Sequence, residues 1–219
     1  DYRVLNLATN TFNENETSYY HKSIGGYHAA KLRRYQEMIE EHISTEMNGV
    51  FKAVSEAGGD MQKVPPSGFP VLNMLNTRYF IFPLQGGKTV PIQNPYTLGN
   101  AWFVNEVQYV DNANEEIDAL HRIDPAKTAV VDKKFSAEVK SAAETDTLGT
   151  IKLTAYEPND LKYEVNSKTG GTVVFSEIYY PGWQAYIDGV EAPHGRADYI
   201  LRAMNVPAGK HVVEFKFDP

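Results

Sequence analysis

The sequence predicts an α+β chain, with an N-terminal α/β part over residues 1–132 followed by an antiparallel β-sandwich of jelly-roll type over 133–219. Three observations carry that division. Upstream of residue 132, short β-branched and aromatic runs alternate with helical patterns, as in an α/β layer. From Phe135 onward the helical periodicity is gone. In its place apolar and polar residues alternate along runs separated by turn residues, which is the period of a strand with one dry and one wet face.

The N-terminal part opens on an extended run, Tyr2–Leu7, and a polar loop over Thr11–Ser18 with an Asn15-Glu16-Thr17 sequon. That sequon matters only in a glycosylating eukaryotic host. Gly25-Gly26 then gives a flexible approach to one long helix near residues 27–47. On it Ala30, Leu32, Tyr35, Met38, Ile39 and Ile43 approximate an apolar stripe, while Arg33, Arg34, Glu37, Glu40 and Glu41 face solvent. Gly49, Gly58-Gly59 and Pro65-Pro66 predict irregular structure, with at most a short helical piece over Val50–Glu56. Pro70–Leu75 reads as a helical turn, Arg78–Phe82 as a buried strand and Pro83–Gly99 as a Gly/Pro-rich loop. Ala101–Val110 is extended, and Thr128–Asp132 is another strand. Between them Asn114–Arg122 forms a short helix with acidic residues at its positive end, where the macrodipole favours them.

In the C-terminal part, Ile151–Ala155 and Leu161–Val165 alternate across a turn at Glu157–Asp160. Thr172–Ile178 is a strand, broken by Tyr180-Pro181-Gly182-Trp183, because Pro lacks a ladder donor and Gly supplies turn dihedrals. Gln184–Ile187 resumes it, and Asp188-Gly189 is a two-residue hairpin signal. Asp198–Val206 is a third extended run, closed by Pro207-Ala208-Gly209. His211–Phe217 then alternates, with Val213, Phe215 and Phe217 on one face.

Composition removes several function classes. A net charge of −7 disfavours nucleic-acid partners, whose binding runs on clustered Lys and Arg. The absence of cysteine excludes disulfides, thiolate metal sites and a thiol nucleophile. No G-x-S-x-G elbow, P-loop, H-E-x-x-H or G-x-G-x-x-G is present, so no catalytic residue and no cofactor is assigned. Fourteen tyrosines, each with an apolar ring and a polar tip, suit surfaces that meet sugars. The chain begins without methionine and stops directly after its last strand, which reads as a piece of a longer protein.

Candidate ligand-binding residues are Tyr20, His21, Tyr27 and His28 around the double glycine, and Trp183 after Pro-Gly. Two helical imidazoles seven residues apart would sit ~10 Å apart, too far for one zinc ion, so no metal site is assigned. A loop with surface histidines is the plain alternative. Glu177 lies amid apolar neighbours, which calls for a buried partner, and Arg202 is the candidate for a structural ion pair. Asp188 is explained by its turn, and Trp183 can equally plug the end of a sandwich.

Four blocks carry a family resemblance: SYYHKSIGGYHAAKLRRY over 18–35, LNTRYFI over 75–81, LGNAWFV over 98–104, and a closing block. That closing block is SEIYYPGWQAYIDG, RADYILRA and VPAGKHVVEFKFDP over 176–219. In this order they resemble the extracytoplasmic domain of YfhO-like bacterial multi-spanning membrane proteins, in the version with long Asn- and Tyr-rich loops of Bacteroidetes-type bacteria. The resemblance implies a domain on the periplasmic face of the cytoplasmic membrane, with transmembrane helices of the same protein as partners. It also implies kinship with GT-C glycosyltransferases that use lipid-linked sugars, whose catalytic acid sits in an early loop outside this chain. The expected role is recognition or positioning of a glycan or lipid-linked sugar in cell-envelope glycosylation. The alternatives are a purely structural brace for the membrane part and an independent carbohydrate-active enzyme built on Glu177.

Overall fold

The computed structural model describes residues 1–26, 32–144, 146 and 148–218. The chain folds into two compact units, Tyr2–Gly99 and Asn100–Pro219, the latter taking in Asp1.

In the first unit, β1 (Arg3–Asn6) runs parallel to β2 (Thr77–Pro83), which pairs antiparallel with β3 (Thr89–Gln93). The expected loop over Pro83–Gly99 therefore contains a strand. Pro91 disguises it, yet β3 is an edge of this sheet, where a residue without a ladder donor is tolerated. After the short helix α1 (Glu16–Tyr20), helical structure runs through α2 (Arg33–Met38), a π turn (Ile39–Ile43) and α3 (Ser44–Glu56). The start expected near residue 27 lies outside the described residues. At its other end the helix continues past the predicted stop at 47 and through Gly49. A mid-helix glycine costs roughly 1 kcal/mol, which the burial of Val50 and Val54 offsets. The predicted stripe residues Met38, Ile39 and Ile43 are buried, whereas Leu32 is exposed.

Two polar residues share that buried face, His42 and Glu46. Glu46 caps a neighbouring helix: its Oε1 and Oε2 accept the Val71 and Leu72 N–H groups at 3.0 and 2.9 Å. That helix, α4 (Pro70–Met74), starts at a proline and has no side-chain cap of its own, so the carboxylate satisfies two of its orphan donors. Burial pushes the Glu46 carboxyl up to about 7, against the lowering effect of those two hydrogen bonds.

In the second unit, β4 (Ala101–Val104) and β5 (Glu106–Val110) split the predicted run at Asn105 and join different sheets. β5 pairs parallel with β6 (Thr128–Asp132), with α5 (Ala113–Ala119) as the connecting helix. Asn112 caps α5 by accepting the Glu115 N–H at 3.0 Å, and Glu115 reaches back to the Asp111 N–H at 3.0 Å. Residues 101–132 were expected with the N-terminal part; they fold within the same compact unit as the strands that follow.

Those strands are β7 (Thr150–Glu157), β8 (Asp160–Ser167), β9 (Gly171–Ile178), β10 (Trp183–Ile187), β11 (Val190–Ala192), β12 (Gly195–Ala197), β13 (Leu201–Val206) and β14 (Gly209–Phe217). They are sheet-rich and antiparallel, in the orders β11-β10-β14-β8-β7 and β12-β13-β9-β4. One core joins both sheets. Tyr163, Phe175 and Phe215 meet edge to face, with ring centroids 4.9 Å apart for Tyr163–Phe175 and Phe175–Phe215. The Asp188-Gly189 hairpin forms as predicted, with Ile187 opposite Val190. The extended run predicted over Asp198–Val206 is corrected: Asp198 and Tyr199 take left-handed dihedrals (φ 48° and 70°), so the chain folds back as a β12–β13 hairpin.

Candidate functional site

Tyr20 and His21 line a cleft of about 470 Å³ in the first unit. Its walls come from the end of β1 and the loop after it (Asn6, Thr9), from α1 (Glu16), and from the β2–β3 turn (Leu84, Lys88). Local chemistry sets each wall. Asn6 is the hinge: its Nδ2 donates to Thr17 Oγ1 at 2.9 Å and its Oδ1 accepts the Ala8 N–H at 2.9 Å. Thr11 Oγ1 donates to the Asn6 carbonyl at 2.6 Å, closing the loop over β1. Across the cleft, Gly86 and Gly87 adopt φ of 77° and 73°, and the Leu84 N–H donates to the Lys88 carbonyl at 2.7 Å. That turn puts Leu84 and Lys88 in the lining of the same cleft.

The rim is aromatic and open. Tyr20 is 70% exposed, Tyr19 is 82% exposed, and their rings meet edge to face at 4.9 Å. The exposed Tyr20 ring beside Glu16, His21 and Lys88 gives the cleft a mixed aromatic and polar lining. Nothing in the sequence marks Leu84 and Lys88 as neighbours of Tyr20, because Pro91 disguises the β2–β3 hairpin that returns them to it.

The double glycine has structural work to do. A Cβ on Gly25 would lie 1.9 Å from the Thr11 carbonyl oxygen, and Gly26 sits at φ 120°. The Gly26 N–H donates to that same carbonyl at 2.8 Å. Gly25→Ala should therefore destabilise the chain by about 3 kcal/mol, the upper range for overpacking, read as a lower midpoint in urea unfolding. An unchanged midpoint would show that the loop over Thr11 is free to move. Tyr27 and His28, predicted beside this pair, lie outside the described residues.

Trp183 lies in the other unit and is engaged from within. The Arg202 guanidinium stacks on its ring at 3.8 Å, and Phe217 packs 5.4 Å away. Arg202 is itself buried; its Nε donates to the Ile178 carbonyl at 3.0 Å and its other face approaches Phe215 at 5.2 Å. Glu177, the candidate ion-pair partner of Arg202, is half-buried near the end of β9. His194 packs beside the same cluster, 5.5 Å from Phe215 and 5.8 Å from Tyr179, and burial with the Arg202 charge lowers its imidazole to about 4.

A buried ionic group underlies the β12–β13 hairpin. Glu116, fully buried on α5, accepts from Arg196 Nη2 at 2.8 Å, and the Asp132 carboxylate lies 3.6 Å from the same nitrogen. Asp198 exchanges two hydrogen bonds with Val130: its N–H donates to the Val130 carbonyl, and its Oδ1 accepts the Val130 N–H, both at 2.8 Å. The side chain thus extends the ladder at the edge of β6. Burial, with a contribution from the Glu116 charge, raises the Asp198 carboxyl to about 7. Among the described residues no group of three or more His, Asp or Glu side chains is arranged to hold a metal ion.

Residues 128–219 match the family model described as bacterial membrane protein YfhO, a span that contains the closing block of the sequence resemblance. Searches of curated proteins and of solved structures found no match.

Proposed function

Taking residues 128–219 as a segment of the YfhO family of bacterial membrane proteins, we propose that the chain is an extracytoplasmic domain that recognises or positions a glycan or lipid-linked sugar for the membrane part of the same protein. Among the described residues no helix is long and apolar enough to cross a membrane. The reading takes the two facing antiparallel sheets as a β-sandwich scaffold on the periplasmic side. Recognition is assigned to the first unit's cleft, and no catalytic residue is assigned.

The observation that carries this reading is the exposed Tyr20 ring beside Asn6, Glu16, His21 and Lys88 in one cleft. An aromatic face supplies stacking for the apolar side of a sugar ring, and the surrounding donors and acceptors can bond its hydroxyls. Trp183 contributes less to ligand contact, because one face of its ring is covered by Arg202.

The test is a titration of the 219-residue chain with cell-envelope oligosaccharides, followed by amide and side-chain NMR shifts. Shifts should concentrate at Tyr20, His21 and Lys88. Tyr20→Ala should weaken binding about tenfold, the equivalent of an aromatic contact worth ~1.4 kcal/mol, with no change in melting temperature. Titration without shifts around this cleft would leave the brace reading in its place.

A further inference from the structure

A second cleft, of about 540 Å³, lies in the other unit, over one end of the β7-β8-β14 ladder and against the Asp188-Gly189 turn. Its polar lining includes Lys152, Glu164, Asn166, Lys210 and His211. The volume falls in the range of small-ligand sites, roughly 300–1,000 Å³. Three basic residues (Lys152, Lys210, His211) and two acidic ones (Glu164, Asp188) line it, a small local excess of positive charge in a chain of net charge −7.

The charge state of His211 follows from geometry. Its Nδ1 lies 2.7 Å from Asp188 Oδ2 and its Nε2 lies 3.0 Å from the Ala208 carbonyl oxygen. Both neighbours are acceptors, so the ring meets both hydrogen bonds only as an imidazolium. The Asp188 hydrogen bond, followed by that to Ala208, raises the imidazole pKa accordingly. The Asp188 Oδ1 also accepts the Val212 N–H at 2.8 Å, so each carboxylate oxygen holds one donor.

The remaining charges do not cancel. Glu164 stands opposite Lys152 in the β7–β8 ladder, where opposite charges balance one another across strands. Lys210 stands opposite Asn166 in the β8–β14 ladder and has no ion-pair partner among the described residues. Lys210 thus stands opposite an amide and diagonal to Glu164, with a second ammonium, Lys152, one strand further on. Such a set is short of one anion.

We propose that this cleft binds the phosphate or carboxylate group of an anionic ligand, with Lys210, Lys152 and Asn166 as the donors and His211, held by Asp188, at its edge. It is separate from the tyrosine-rimmed cleft and does not depend on that cleft's ligand. A phosphorylated sugar and an anionic lipid headgroup offer the same chemistry.

The test uses the 219-residue chain with three probes: inorganic phosphate, a hexose 1-phosphate, and vesicles of phosphatidylglycerol against phosphatidylcholine. Phosphate should produce saturable NMR shifts at the Asn166 side-chain amide and the His211 ring, which weaken as salt rises. The Lys152→Gln, Lys210→Gln double variant should lower the apparent affinity at least tenfold while its spectrum elsewhere is unchanged. Because both lysines are exposed and outside the core, this variant keeps the fold. Tighter binding of the hexose phosphate assigns the site to a soluble ligand, and retention on phosphatidylglycerol vesicles lost in the double variant assigns it to a headgroup. Absence of shifts at Asn166 and His211, or shifts of equal size in the double variant, overturns the proposal.

Discussion

Arg196→Met is expected to lower the unfolding free energy by about 4 kcal/mol, within the range for removing one partner of a buried ion pair. Glu116 is fully buried and takes its shortest charged contact, 2.8 Å, from Arg196 Nη2. Without the guanidinium, a fully buried carboxylate loses its charged partner and keeps the weaker Tyr199 N–H contact at 3.3 Å. The Asp132 carboxylate, 3.6 Å from the same nitrogen, loses its attraction as well. The stacking of Arg196 over the Phe135 ring, at 5.1 Å, adds a smaller loss. Urea unfolding monitored by circular dichroism measures the effect. A loss below about 1 kcal/mol would mean that solvent reaches Glu116. The Glu116→Leu, Arg196→Met double variant should recover most of the stability, because a matched apolar pair avoids the desolvation of both charges.

The second large effect is a pH dependence. The Asp198 carboxyl titrates at about 7 in the folded chain, whereas an unfolded aspartate titrates near 3.9. Below about pH 4 both states hold the proton and the group is neutral to stability. Between about pH 4 and 7 the unfolded chain releases its proton while the folded chain keeps it, so stability falls as pH rises. Above 7 both are ionised and the loss is complete, at roughly 4 kcal/mol. Asp198→Asn keeps the acceptor for the Val130 N–H and cannot ionise. The stability difference between the variant and the parent should therefore grow in the variant's favour from pH 4 to 7 and stay level above it. Using the difference matters, because Glu46 pulls the parent curve in the same direction and His194 in the opposite one, through its lowered pKa. Two curves that run parallel from pH 4 to 8 would show that Asp198 is ionised throughout.

Legibility in the sequence divides along physical lines. The β14 strand was readable from Val213, Phe215 and Phe217, and the Asp188-Gly189 turn from its own two residues, since period and turn chemistry are nearest-neighbour properties. Pro91 misled because a proline is forbidden in a central strand but not at an edge, and which strand is the edge is a property of the sheet. Asp198 and Tyr199 carry no turn signature. The left-handed turn at Asp198 is held by its two bonds to Val130, 68 residues away. Of the candidate site, Tyr20 and His21 were legible as exposed aromatic and polar residues in a loop, while Lys88 entered only through the β2–β3 hairpin.

Most strand positions, the dry face of β14, the lack of thiol chemistry and the resemblance that residues 128–219 bear out are written in the linear order of residues. Which sheet each strand joins, what partners Glu116 and caps α4, and which residues share a cleft emerge only once the chain is folded. The physical reason is range. Periodicity and turn propensity act over a few residues, whereas sheet order, burial of charge and the convergence of a site depend on contacts between segments far apart in the chain.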